Sequence, residues 1–372
     1  LSARNGIALT TADLAIVYTI ANSVGPITMI TGGSFNDKFG PKKVILVGGI
    51  MVGAGMIASG FATSVGALVV TYGLIFGLGL GMTYGTAVST CMKFFPDKRG
   101  LIGGITTAIY GLGSVILPPV VTKIVSVSSA PAAFKIIGII FLIIICGCSF
   151  FMEQCPADFV PDGWTPPVQV QKNAVENKNW KEMIKTPVFY VMLLLFTCGA
   201  FSGMMVISQA SAVATNMVGM TAIMASTAVS VLAVFNAGGR ILAGFLSDRI
   251  GRINTLSIAS VAGIAGLLLL YITGQGGFAT FYIGIACIGI SFGSFMGVYP
   301  GFTADQFGGK NNSVNYGIMF IGLAGAGYFG PSAMRKIYMT DGAYTRAFLV
   351  AVAFAAAGFV LTFIYRFFAK KK

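Results

Sequence analysis

Apolar runs of about twenty residues recur from one end of this chain to the other, and they leave few folds open. At 1.5 Å per residue, each run is long enough to cross a hydrocarbon core about 30 Å thick as a helix. Only 9% of the 372 residues are charged and 56% are hydrophobic, whereas roughly a quarter of a soluble domain is charged. A soluble helical core of this size would need far more charged surface to face water. The chain therefore reads as an all-α polytopic membrane protein. No signal peptide of the usual shape is visible, and the spans themselves direct insertion.

Eleven spans can be drawn, at 12–35, 44–62, 67–92, 100–127, 133–152, 187–215, 222–246, 253–274, 278–304, 313–335 and 343–367. Their connections fall into two sets of very different charge. One holds Lys38, Lys42, Lys43, Lys93, Lys98, Arg99, Lys172, Lys178, Lys181, Lys185, Arg249, Arg252, Lys310, Arg366 and Lys370 to Lys372; the other holds only Arg4, Lys123, Lys135, Arg335, Lys336 and Arg346. Basic residues flanking membrane helices mark the cytoplasmic side. The net charge of +13 thus orients the chain, with its C-terminus cytoplasmic. Basic residues shared among short connections do not make a nucleic-acid surface.

An internal repeat explains the odd number of spans. "GSFNDKFGPKK" (33–43) matches "GFLSDRIGRIN" (244–254), with Gly, Asp, base and Gly in register and further bases behind. "FFPDKRG" (94–100) and "DQFGGKN" (305–311) follow their copies at nearly the same offset. Pro119 and Pro331 end similar glycine-rich helices. Stepping back by the same offset from 187–215 places its partner before residue 5. The expectation is two parallel six-helix repeats, with the first helix absent here and eleven visible. The domains are then an N-terminal repeat at 1–152, a polar cytoplasmic linker at 153–186 and a C-terminal repeat at 187–372. Parallel repeats suit alternating access around a site near the membrane midplane.

The paired "G-x-x-x-D-[K/R]-x-G" loops resemble the signature of the major facilitator superfamily. Within it, residues 94–100, "NWKEMIKTPVFY" (179–190), "FNAGGR" (235–240) and "NYG" (315–317) resemble the oxalate/formate antiporter group, which includes bacterial lactate and monocarboxylate carriers. The resemblance covers the whole chain. It implies the major facilitator fold and a secondary transporter of small organic anions in the cytoplasmic membrane.

Arg240 is the residue that asks for an explanation. It lies eight residues before Asp248, about 12 Å along a helix and close to the middle of the core. A charge at that depth costs at least ~2.5 kcal/mol on insertion scales. All eleven acidic residues fall in loops or at helix ends. Three readings are open: Arg240 snorkels to the surface, it pairs with an acid on the absent helix, or it binds an anionic substrate through a bidentate carboxylate pair. The resemblance agrees with the third, since the family's essential arginine matches Arg240. It also implies that Leu323 stands where the oxalate carrier has a lysine. No base occurs from 314 to 333, so a dianion would keep one charge unpaired in low dielectric. The sequence therefore points to a monocarboxylate such as lactate, pyruvate or formate, with an oxalate/formate or other organic-anion exchanger as the alternative.

Depth adds Asn22, Tyr84, Tyr110 and Asn236 as polar groups that either line the site or bond between helices. The resemblance places Tyr84 and Asn236 at site-lining positions, and puts Phe292 and Met296 where the oxalate carrier has bulky aromatics. Asp37 and Asp248, with Lys38 and Arg249 beside them, read as gating residues that cap a neighbouring helix and pair with a base. The small-residue spacing of "GLIFGLGLGMTYG" (73–85) and "GLAGAGYFG" (322–330) reads as close helix packing.

The chain has six cysteines and no histidine. Neither metal-ligand spacing nor paired membrane acids occur, so no metal, cofactor or enzyme activity is expected. An empty site would leave the charge of Arg240 unpaired, which favours exchange or obligatory cotransport. A proton could ride with the substrate or use the absent helix, or a counter-anion could replace it. The expected partners are a small carboxylate anion, a proton or counter-anion and the lipid bilayer, with the protein acting as a monomer.

Overall fold

The computed structural model describes residues 11–156, 159–161, 163 and 177–369; within it, the side chains of 11–15, 19, 22, 37 and 114 lie outside the described set. Eleven long helices account for nearly all of it: α1 (Thr11–Phe39), α2 (Pro41–Ser59), α3 (Val65–Phe94), α4 (Arg99–Val127), α5 (Ala130–Ser149), α6 (Pro187–Asn216), α7 (Ala222–Ile250), α8 (Arg252–Ile272), α9 (Phe278–Phe307), α10 (Asn312–Asp341) and α11 (Thr345–Ala369). Among the described residues there is no strand. The spans read from the sequence fall on these helices one for one, and α2 to α11 are each long and apolar enough to cross a membrane. Lipid offers no partner for backbone N–H and C=O groups, so a spanning segment must satisfy them internally.

Local chemistry sets the helix starts. Ser64, Ser129 and Thr221 each accept a bond from the backbone N–H three residues on, at Ala67, Ala132 and Met224. These are orphan donors that a hydroxyl cap satisfies. Pro41, Pro131 and Pro187 sit in first turns, where a missing N–H costs nothing.

The repeat is visible in the backbone. Gly40 joins α1 to α2 at φ 79°, ψ 163°, and Gly251 joins α7 to α8 at φ 88°, ψ 151°. Only glycine adopts this region readily, so each motif keeps its last glycine for a helix-to-helix corner. Gly251→Ala is expected to destabilise the protein by ~1–3 kcal/mol, read as a lower thermal midpoint of the purified chain. No atom lies within 4 Å of the added Cβ, so the loss would be conformational. An unchanged midpoint would show that the corner tolerates an L side chain.

The chain forms two compact units. Unit 1 comprises 1–94, 116–180 and 307–324; unit 2 comprises 95–115, 181–306 and 325–372. Each takes most of one sequence half and the end of a helix from the other. Unit 1 packs through glycine. Gly49 and Gly53 of α2 lie against Ile145 and Leu142 of α5, while Gly77, Gly81 and Gly85 of α3 lie against Ala21, Gly25 and Met29 of α1. Removing the Cβ lets helices approach closely where lipid gives no hydrophobic drive.

Unit 2 has a larger aromatic core. Tyr299 stacks on Phe196 with ring centroids 4.1 Å apart, and its hydroxyl donates to the Met192 carbonyl at 2.7 Å. That bond satisfies a buried polar group the sequence alone leaves unexplained. The same glycine contact recurs in each unit at the repeated motif. Gly33 of α1 meets Ser313 and Val314 at the start of α10, and Gly244 of α7 meets Gly100 and Gly104 at the start of α4.

Candidate substrate site

The candidate site is built on α7, within unit 2. Arg240 lies ten residues from the C-terminal end of α7, ~15 Å along the axis, and is only 5% exposed. Its Nε donates to Asn236 Oδ1 at 3.1 Å, one turn earlier on the same helix. Its Nη1 donates to the backbone carbonyl of Thr107 on α4 at 2.6 Å. Both acceptors are neutral, and both bonds are charge-assisted.

Glycine makes this geometry possible. A Cβ at Gly111, one turn after Thr107, would lie 3.2 Å from Cζ of Arg240 and 3.4 Å from Nε and Nη2. A Cβ at Gly104, one turn before, would strike the Arg240 carbonyl. On another flank of α7 runs a second glycine row on α9. Gly289 faces Leu232 and Asn236, Gly293 faces Asn236 and Arg240, and Gly297 faces Arg240. The backbone around Arg240 is thus held between two helices that present hydrogen where other residues present carbon.

The other end of the α4–α7 contact is ionic. Asp248 Oδ1 and Oδ2 accept from the backbone N–H of Gly100 at 2.9 Å and Leu101 at 2.8 Å. These are first-turn donors of α4, where a carboxylate also meets the positive end of the helix dipole. Arg252 Nη1 lies 2.6 Å from Asp248 Oδ1 and also donates to Ser247 Oγ at 2.6 Å. Asp305 of α9 joins the group, with Oδ2 2.8 Å from Arg252 Nε and Oδ1 3.1 Å from Arg99 Nη1. Two acids and two bases balance at one end of the helix bundle of unit 2.

The residues singled out from the sequence are distributed as follows. Arg240, Asn236, Tyr110, Phe292, Met296, Asp248 and Arg249 belong to unit 2. Phe292 and Met296 are each 4% exposed; the Phe292 ring packs on Gly203 of α6. Tyr110 is half exposed. Arg249 lies over the Phe245 ring, 4.2 Å from its centroid, and the base paired with Asp248 is Arg252. Tyr84, Leu323 and Lys38 belong to unit 1. Tyr84 is half-buried with its ring 5.7 Å from that of Phe320, Leu323 is buried and Lys38 is exposed. The side chains of Asn22 and Asp37 lie outside the described residues.

Sequence reasoning did not find Thr107, Gly111, Arg252 or the Arg99–Asp305 pair as members of the site. The α9 row was detectable, since Gly289, Gly293, Gly297 and Gly301 recur every four residues.

Comparison with known proteins fits this architecture. The family model described as Major Facilitator Superfamily matches residues 3–331. The chain is 30% identical over 367 residues to an oxalate:formate antiporter of Oxalobacter formigenes, covering 96% of this chain and 84% of that protein. It is 24% identical to human monocarboxylate transporter 12, over 91% of this chain and 70% of that one. In fold it is similar to the solved transporter FucP in the outward conformation, with a TM-score of 0.72, 15% identity and coverage of 96% of this chain and 91% of that chain. Ten helices apolar enough to cross a membrane among the described residues, a repeated glycine–aspartate motif and a family match along most of the chain lead to one assignment: the protein belongs to the major facilitator superfamily and is a multi-pass membrane transporter.

Proposed function

We propose that this transporter moves a small monocarboxylate by alternating access, with Arg240 as the group that binds the carboxylate. The observation that carries the reading is the setting of Arg240: a buried guanidinium, deep in a membrane helix, bonded to the neutral oxygens of Asn236 and Thr107. A carboxylate offers the same fork two anionic acceptors, which bind more strongly than neutral ones. Relatives named as an oxalate:formate antiporter and a monocarboxylate transporter support an anionic cargo of this class. The absence of any base from 314 to 333 in the sequence supports a single charge; a dianion would need a second base.

A cytoplasmic C-terminus is supported by the seventeen basic residues of its set of connections against six in the other. Gating is assigned to the α4–α7 clamp at Asp248, with Arg249 beside it and Asp37 and Lys38 at the matching place in the first repeat. The experiment is uptake of labelled lactate and labelled oxalate into proteoliposomes, with and without an imposed pH gradient. Saturable lactate uptake well above that of oxalate is expected, and the gradient arm reads proton coupling directly. Preferential oxalate uptake would overturn the monocarboxylate assignment.

A further inference from the structure

We infer that the Thr107 carbonyl is the alternate acceptor for Arg240 and that Gly111 is the positioning residue that admits the guanidinium to it. The inference rests on the carboxylate-binding reading and names the group with which the substrate must compete. Three observations converge on it. Arg240 Nη1 donates to Thr107 O at 2.6 Å, a shorter bond than the 3.1 Å one from Nε to Asn236 Oδ1. In the α4 helix that carbonyl also faces the N–H of residue 111, four positions on. Residue 111 is the glycine whose missing Cβ would otherwise press on Cζ, Nε and Nη2. The side chain thus reaches the α4 backbone through a gap made by one absent methyl group.

The guanidinium has donors to spare, but a bidentate carboxylate is the stronger acceptor and draws the whole planar fork toward itself, away from the neutral Thr107 carbonyl. Binding of the anion therefore loosens one bond across the α4–α7 contact, and loss of the anion restores it. The carrier without cargo is held at this contact by its own arginine, while the loaded carrier is released from it. The device links occupancy to the freedom of α4 and α7 to separate, and it makes return without cargo slow.

Gly111→Ala and the slightly more polar Gly111→Ser test this in the purified full chain, with lactate as the probe and calorimetric titration as the readout. Each added Cβ shifts the guanidinium away from Thr107 and weakens the competitor. Lactate is expected to bind about tenfold more tightly, the equivalent of ~1.4 kcal/mol. A substitution that merely disturbed packing would weaken binding or leave it alone, and either result overturns the inference. A wild-type measurement stands apart from any folding defect in the variants. Lactate-for-lactate exchange in liposomes is expected to run about tenfold faster than net efflux into lactate-free buffer, and equal rates would sink the idea. Arg240→Gln separates the two levels of the argument. Loss of lactate binding in that variant keeps the carboxylate reading even where Gly111→Ala fails to tighten binding, whereas retained binding defeats the carboxylate reading itself.

Discussion

Arg240→Lys is expected to lower lactate kcat/KM by about two orders of magnitude, and Arg240→Ala to abolish transport above background. Hydrogen bonds to charged groups are each worth roughly 1.5–3 kcal/mol, and a bidentate carboxylate pair contains two. Lysine keeps the charge but replaces a planar fork with a compact ammonium on a flexible stem, so position is lost along with one of the bonds. The accompanying stability measurement makes the prediction discriminating. A charge near the middle of a membrane helix costs ~2.5 kcal/mol or more. Deleting it removes that cost, and the Thr107 carbonyl keeps its helical partner. Arg240→Ala should therefore hold or raise the thermal midpoint while transport disappears. A purely structural arginine would do the reverse, with a lower midpoint and surviving uptake, and that pair of results would remove Arg240 from the site.

The fold was legible because lipid leaves so few options. A run such as 133–152 must be helical, and the asymmetry of Lys and Arg between its neighbouring connections gives it an expected direction. Arg240 was legible for the same reason, as an exception to the rule around it. Its surroundings were not. A backbone carbonyl has no sequence signature, so nothing marks Thr107 as an acceptor for a residue 133 positions away. Depth counting groups residues at one height and cannot say which helices face each other. It selected Tyr84, which belongs to unit 1, together with Tyr110 and Asn236, which belong to unit 2.

Arg249 illustrates a different limit. It adjoins Asp248 in the chain, but neighbours on a helix point ~100° apart, whereas Arg252 begins the next helix after the sharp corner at Gly251. The partner of an acid is set by that corner, which the sequence signals only as a glycine.

The clamp at Asp248 should be strong enough to matter and weak enough to break in every cycle, and Asp248→Ala puts a figure on it. The substitution orphans the N–H groups of Gly100 and Leu101 and removes one of the two acids facing Arg252. Loss of a carboxylate cap typically costs ~1 kcal/mol. The ion pair adds to that, because the Asp248 and Arg252 side chains are only 16% and 12% exposed. The Arg99–Asp305 pair is more open, at 29% and 38%, and water screens it toward the small value of surface pairs. Asp248 is therefore the stronger element, worth ~2.7 kcal/mol in all, which corresponds to a hundredfold change in population.

Hydrogen exchange reads this directly. Amides in the first two turns of α4 should lose about two decades of protection in Asp248→Ala, and Asp305→Ala should lose much less. Asp248→Asn keeps acceptor oxygen without charge and should fall between them. Equal protection in wild type and Asp248→Ala would mean that α4 is held against α7 by its glycine packing alone, and the carboxylate would then have no part in the gate.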